Sequence, residues 1–524
     1  MAKTYSCVLV GVQARLIEIE TVVGSGFSGL NILGLPTDIT RDMRERVRSA
    51  LESAGIPIPA RRVVVNIGPS EYIKLSRTPL SQLDFAVAAS IVHALFQEEE
   101  KKKPLVTYQH EILSGELSLE GKLKPVNNYL IFNCLHEYAL EDTVICLPTL
   151  QTPEEKLDFE RKKSFEFSHY CEDFLDIQDW LYKRQCMDKI IFSPPQQTPL
   201  LCAQNSADSL KITAEQKASL KETIKILMQN PQVCVGILVA CAGQHNILLA
   251  GEPGIGKSFS IQQIPHLFLP ISSLQKTSFQ LINPAFEGWQ RPLRTPHHSS
   301  TSASLVGGAS LKPGEVTLAH GGILFLDELA EFSRNSLEAL REPLDNKHVT
   351  ISRSGGSVTY PADFQLCATT NPCACGYLFS RKKPCRCNPR ESRKYLQKLS
   401  GPMLDRFCLQ VWMQYQEEWE WDIFCQEMVR VVSEETLLDE FVEHFIEIQK
   451  EGEQKNKLTS HTHVKKISFF EAQSSHLSLR GKEKISQIVK TFQKVFPHLP
   501  LNPEYLDQVL TYRQLGSLFT SISL

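Results

Sequence analysis

The sequence predicts a multi-domain α/β protein, and three observations carry that prediction. From residue 210 to 415, strand-like apolar runs alternate with helical segments, the pattern of a parallel sheet covered by helices. Residues 1–190 mix alternating strands such as RRVVVNI with helical runs such as RDMRERVRSALESAG, which stops at Gly55; this is the pattern of an α+β domain. Residues 416–524 read as all helical, with amphipathic runs such as KEKISQIVKTFQKVF. The polar, proline-bearing stretch 191–209 reads as a linker between the first two regions.

Composition narrows the class. A chain of 524 residues has room for roughly two to four domains, each with its own core. With 42% hydrophobic and 22% charged residues, it has the balance of a soluble globular protein. A net charge of -3 points neither toward nucleic acid nor away from it, because a basic surface can sit inside a neutral chain. The apolar run at the N-terminus is too short for a signal peptide, and no run of about 18 apolar residues is evident. The expectation is a cytoplasmic protein without membrane contact. Its 15 cysteines are then reduced thiols, most of them buried like Cys202, Cys234 and Cys241.

The stretch HNILLAGEPGIGKS, residues 245–258, carries the clearest chemistry. Gly251, Gly256, Lys257 and Ser258 stand in the G-x-x-x-x-G-K-[ST] arrangement, with Glu252, Pro253, Gly254 and Ile255 as the loop between. Glycines let the loop turn its backbone N–H groups onto phosphates, Lys257 reaches the β and γ oxygens, and the Ser258 hydroxyl ligates Mg²⁺. The apolar run Ile247 to Ala250 supplies the strand before the loop, and a helix starting near Lys257 adds its N-terminal dipole. ATP and Mg²⁺ are the implied cofactors.

A second apolar run, GGILFLDEL, ends in Asp327 and Glu328. An acid closing a buried strand is costly without a cation, so Asp327 is expected in the Mg²⁺ shell and Glu328 beside the attacking water.

These motifs lie inside a longer resemblance. The run RPLRTPHHSSTSASLVGGASLKPGEVTLAHGGILFLDELAEFSRNSLEALREPLDN, with NPCACGY and SGPMLDRF, resembles the magnesium-chelatase-like AAA+ ATPases and, within them, the ComM/YifB group. GLPTDITRDMRERVRSALESAGIPIPARRVVVNIGPSEY and GELSLEGKLKPV resemble that group's Lon-like domain, of the ribosomal S5 domain 2-like fold. The resemblance implies a Lon-like domain over 1–190, a linker over 191–209, an AAA+ P-loop ATPase core over 210–415 and a helical lid over 416–524. It also implies roles. Asn371 matches the sensor-1 position, Arg406 the arginine finger, and Arg480 the sensor-2 arginine of the lid. A finger reaches a neighbouring subunit's nucleotide, so hydrolysis would require a homo-oligomer, a hexamer by resemblance.

Two glycine-bearing segments, VGGASLKPGEVTLAH and HVTISRSGGSVTYPA, resemble the pore elements of the family. Lys312 and Arg353 fall near their tips, where they would meet DNA phosphates; two ordinary surface loops are the alternative. Between them and Arg406 lies NPCACGYLFSRKKPCRCNPRE, with Cys373, Cys375, Cys385 and Cys387 in two Cys-x-Cys pairs. Four thiolates suit tetrahedral Zn²⁺, but the spacing inside each pair is tighter than usual, so reduced thiols or a labile disulfide stay open beside zinc. From Gly376 to Arg406 there are nine Lys or Arg and two acids, a basic segment open to nucleic acid or simply solvated.

The chain departs from the family pattern in two places. Ser81 falls near the serine of Lon peptidases, but Leu130 occupies the lysine position, so no peptidase activity is expected. The group's Gly-Gly-His-Asn is Gly243-Gln244-His245-Asn246 here, and Cys234-Val235 replace basic residues upstream. The function implied is an ATPase that translocates on single-stranded or branched DNA and promotes branch migration during recombination of incoming DNA. A chelatase-type motor serving a porphyrin or protein partner, and a nucleotide-binding scaffold without turnover, are the rivals.

Overall fold

The computed structural model describes residues 1–76, 78–98, 105, 110–124, 143–148, 171–186, 212–283, 286–308, 311–353, 356–380, 383–414, 422–455, 479–500 and 503–513. The chain forms two compact units, Met1–Ser206 with Thr350–Thr359, and Ala207–Val349 with Tyr360–Leu524.

In the first unit the strands are β1 Ala2–Val10, β2 Gln13–Gly24, β3 Gly29–Leu33, β4 Arg62–Gly68, β5 His110–Leu113, β6 Glu116–Leu117, β7 Leu123–Lys124, β8 Thr143–Pro148 and β9 Cys171–Phe174. Seven of them make one sheet in the order β3-β4-β2-β1-β5-β8-β9, and β6 pairs with β7 alone. The sheet is mixed: β1–β2 and β2–β4 run antiparallel, while β1–β5, β5–β8 and β8–β9 run parallel. Alternation along β4 buries Val63, Val65 and Ile67 and turns Arg62 and Asn66 outward, as the pleat requires. Helix Thr37–Ser53 buries Met43, Val47, Ala50 and Leu51, one stripe at helical spacing, and stops before Gly55, whose φ of 75° favours glycine.

The helical stretch Leu80–Glu98 is by length and composition apolar enough to cross a membrane, although polar residues such as Gln82, Asp84 and His93 interrupt it, and 78% of its most apolar window is buried. Its neighbours there explain the apolarity. Helix Asp84–Glu98 lies against β1 and β2, with Phe85, Val87, Ile91 and Val92 buried, each such side chain contributing about 1.5–3 kcal/mol.

The second unit contains β10 Ile247–Gly251, β11 Leu293–Arg294, β12 Ile323–Leu326, β15 Gln365–Thr370 and β16 Leu409–Met413, while β13 His348–Arg353 and β14 Gly356–Pro361 fall mostly within the Thr350–Thr359 segment counted with the first unit. Five form a parallel sheet in the order β11-β12-β15-β10-β16, while β13 and β14 make a separate two-stranded ribbon. Strands β10, β12 and β15 are buried at every position, which is why they read as continuous apolar runs rather than alternating ones. Helix Pro231–Gly243 is capped by Asn230, whose side chain accepts from the Val233 N–H at 3.2 Å, and is buried from Val233 to Cys241.

The helices Ile423–Ser433, Glu435–Lys455, Leu479–Val495 and Pro503–Thr511 close the chain. Where the sequence sets a lid apart from residue 416 onward, the structure gives these helices no core of their own. Phe424, Phe445, Ile488, Phe492 and Tyr512 share one hydrophobic cluster with Ile247 and Leu249 of β10 and Val411 of β16. Cys234 and Cys241 are buried free thiols of that cluster, as expected; Cys202 and the linker up to residue 209 lie outside the described residues.

Candidate nucleotide site

All five strands of the parallel sheet point their C-terminal ends one way, and ligands of such sheets bind outside those ends. The loop Gly251–Ser258 leaves the interior strand β10, between β15 and β16, there. Gly254 and Gly256 have φ of 77° and 96°, left-handed values at which a side chain would strain the backbone. Gly251 is required for a different reason: a Cβ on it would lie 2.3 Å from the Met413 carbonyl oxygen at the end of β16. Helix Lys257–Gln262 starts directly from Gly256.

Lys257 is buried, and its Nζ donates to Gly251 O at 2.8 Å, to Glu252 O at 2.7 Å and to Asn371 Oδ1 at 3.0 Å. Burial pulls the ammonium down to about 8, against the opposing charges of Asp327, Glu328 and Glu252. Ser258 Oγ donates to Asp327 Oδ1 at 2.7 Å. Thr369 Oγ1 donates to the same oxygen and accepts the Glu328 N–H at 3.0 Å. Glu328 itself stands at φ 54°, a left-handed conformation uncommon outside glycine, with its side chain exposed.

Strand β15 lies between β10 and β12, so Asn371, just past its end, falls between the phosphate loop and the paired acids. Gly251 to Ser258, Asp327, Glu328 and Asn371 therefore come together. Thr369 was not singled out in the sequence, although a buried threonine pair ending an apolar strand was a readable signal. The donor set fits a nucleoside triphosphate with Mg²⁺: a glycine loop and an ammonium for phosphate oxygens, and a hydroxyl hydrogen-bonded to a carboxylate for the cation.

Arg406 makes none of these contacts. Its guanidinium donates to Pro402 O at 2.7 Å and to Asp345 Oδ2 at 2.6 Å, while its buried Nε finds no acceptor among the described residues. Asn246 braces the same region, donating to Arg406 O at 3.0 Å and accepting from the Leu366 N–H at 2.8 Å. His245 is buried 2.8 Å from Thr491 Oγ1, and burial pushes it down to about 4, so it is neutral there. Gln244 takes the left-handed turn that ends its helix at φ 51°, a position where glycine would avoid a cost of about 1–2 kcal/mol.

Arg480 falls in the first turn of helix Leu479–Val495, and its side chain, like that of Arg353 at the end of β13, lies outside the described residues, as does Leu130. Lys312 is exposed in the loop between helices Ser302–Val306 and Glu315–Leu318. In that loop the Leu311 carbonyl accepts from the Tyr360 hydroxyl at 2.7 Å. Ser81 donates to Glu116 Oε2 at 2.7 Å, a carboxylate also bound by Lys124 at 3.1 Å. The sulfur atoms of Cys373, Cys375, Cys385 and Cys387 all lie within 4.8 Å of one another. Within and just after that segment of the chain, Lys383, Arg386, Arg390, Arg393 and Lys394 are exposed.

A parallel sheet bearing a glycine loop, a buried lysine and paired acids at its strand ends defines a P-loop nucleotide-binding domain. The family model for magnesium chelatase, subunit ChlI, matches residues 225–420, and a second, for the subunit ChlI of Mg-chelatase, matches residues 19–147. The chain is 31% identical over 419 residues to competence protein ComM of Haemophilus influenzae, covering 78% of this chain and 76% of that protein. It is 31% identical over 407 residues to the uncharacterized protein YifB of Escherichia coli, covering 76% and 73%. A shorter likeness, 25% identical over 187 residues, relates it to the probable DNA helicase MCM9 of Oryza sativa, covering 34% of this chain and 23% of that protein. The chain belongs to the magnesium-chelatase-like AAA+ family, in the group of ComM and YifB.

Proposed function

We propose that the protein is a Mg²⁺-dependent ATP hydrolase that works as a homo-oligomeric ring, a hexamer, in the cytoplasm and moves along single-stranded or branched DNA to promote branch migration in recombination of incoming DNA. The observation that carries the ATPase part is the convergence of Lys257, Ser258, Asp327, Glu328 and Asn371 at the C-terminal ends of the strands. The DNA part leans on the name of the relative ComM and on the helicase title of the shorter likeness.

Mg²⁺, when bound, neutralises charge on the β and γ phosphates, and Ser258 and Asp327 are the residues to hold it. Lys257 exchanges its backbone acceptors for phosphate oxygens. Glu328, exposed beside them, orients the attacking water and takes its proton. Asn371 fixes the lysine on one side and is free to position water on the other, while Arg406 acts on the neighbouring subunit's γ-phosphate once it leaves Asp345. Lys312 and Arg353 contact DNA backbone, Arg480 senses nucleotide from the lid, and the first unit serves as an assembly platform.

The test is ATP hydrolysis by the purified chain with and without single-stranded and forked DNA, beside Glu328→Gln. Turnover stimulated by DNA and lost in the variant supports the translocase; turnover indifferent to DNA sinks it. A chelatase-type motor is the second reading, favoured by the titles of both family models, one of which falls on the N-terminal region. Stimulation by a porphyrin together with partner subunits would select it.

A further inference from the structure

The four-cysteine segment begins two residues after Asn371, and its turn reaches back to the phosphate loop. Gly376 has φ 82°, and a Cβ on it would lie 2.3 Å from Pro253 Cγ, so glycine is needed both for the turn and for this approach. Further along, Phe379 sets its ring edge-on against Trp412 of β16, centroids 5.4 Å apart. The segment thus touches the loop that leaves β10 and the strand that flanks it.

The sulfur geometry favours a metal. Cys373 and Cys375 are 3.4 Å apart, Cys373 and Cys385 3.7 Å, and Cys375 and Cys385 3.5 Å. A disulfide would need about 2.05 Å, and all four thiols are free. A tetrahedron with Zn–S bonds of about 2.3 Å has edges of about 3.8 Å, close to these separations. Backbone N–H groups also point at the sulfurs: that of Cys375 at Cys387 Sγ across 3.3 Å, and those of Tyr377 and Arg386 at Cys375. Such donors stabilise thiolates and orient them as ligands.

We propose that Cys373, Cys375, Cys385 and Cys387 hold one Zn²⁺ as a structural clip that braces the phosphate loop through Gly376 and Pro253 and fixes Asn371 beside Lys257, so that zinc occupancy sets nucleotide affinity. The proposal rests on the nucleotide reading of the loop. The clip acts on the nucleotide site as a positioning element; the basic side chains it displays are a separate matter.

The full chain, purified without chelator, is assayed for metals by mass spectrometry and titrated with a fluorescent ATP analogue. About one zinc per chain is expected, and none in Cys385→Ser. Stripping zinc with a thiol reagent and chelator weakens the analogue by about tenfold, and added Zn²⁺ restores it. Gly376→Ala keeps all four thiols, and its zinc is counted beside its affinity: with zinc retained it binds the analogue more weakly, a readout that stands even if Cys385→Ser fails to fold. Protein that carries no zinc and takes none up overturns the clip. Zinc-loaded protein whose affinity is unchanged by stripping overturns the brace. Zinc-loaded protein that binds no nucleotide overturns the nucleotide reading and the brace with it, and the zinc count distinguishes that failure from loss of the clip.

Discussion

Lys257 Nζ donates to Asn371 Oδ1 across 3.0 Å, so the phosphate loop and the end of β15 are joined directly by one ammonium. The other two donors of that ammonium go to Gly251 O and Glu252 O, so all three are satisfied. A phosphate that recruits Lys257 must replace at least one of these bonds.

That exchange has a pH signature. Burial holds Lys257 at about 8, below its ordinary 10.5, so the group loses its charge as pH rises through 8. An adjacent phosphate raises it again. Nucleotide affinity should fall above about pH 8, and binding near pH 8.5–9 should take up protons, read by calorimetry in buffers of different ionisation enthalpy. A flat affinity from pH 7 to 9.5, with no proton uptake, would show that the lysine does not meet the nucleotide.

Glu328→Gln should retain nucleotide binding while turnover falls by about 10²–10⁴. The substitution keeps the side-chain size and leaves the N–H bond to Thr369 in place. Equal losses in binding and turnover would instead mean that the left-handed turn at this residue had collapsed.

Arg406→Ala should lower turnover by about 10³ or more with little effect on nucleotide affinity. Mixing it with Lys257→Ala separates a finger acting in trans from a structural arginine. One variant keeps an intact pocket and the other an intact finger, so mixed assemblies regain activity only if Arg406 serves a neighbour. No recovery on mixing would assign Arg406 to its pair with Asp345.

In the first unit, Glu111 is fully buried and accepts from Arg184 Nε at 2.9 Å and Trp180 Nε1 at 3.1 Å, with His93 Nε2 at 2.9 Å. His93 and Arg184 hold its carboxyl down at about 2 despite burial. Glu111→Ala removes the buried carboxylate that accepts from Arg184 and Trp180 and faces His93, and should destabilise this unit by about 3–5 kcal/mol, measured by urea unfolding. Because the folded value lies below the ordinary 4.5, the wild-type stabilisation is present above pH 4.5 and lost as pH falls toward 2. A shift under about 1 kcal/mol would mean that water reaches Arg184 in the variant.

The nucleotide loop and its acids were legible in the sequence because each is a contiguous motif with a strand before it, and continuous burial wrote those strands as apolar runs. Contacts between distant segments were not legible. The pairs Lys257–Asn371 and Arg406–Asp345, and the cluster of Glu111 with His93, Trp180 and Arg184, join residues whose spacing follows no period. The mixed order of the first sheet was hidden for the same reason, since alternation marks a strand but not its neighbours. Leu80–Glu98 shows the converse: its apolar composition is evident, but its fate as a core helix depends on the sheet it covers.

The C-terminal helices and the phosphate loop meet on a single strand. The Gln410 N–H of β16 donates to Tyr512 O at 2.6 Å, and the Tyr512 ring packs against Phe492 and Phe424. At the far end of β16, the Met413 carbonyl fits against Gly251 only because that residue has no side chain. The strand is therefore a short coupling rod: the helical end cannot slide relative to the sheet without shifting the floor on which the triphosphate would rest.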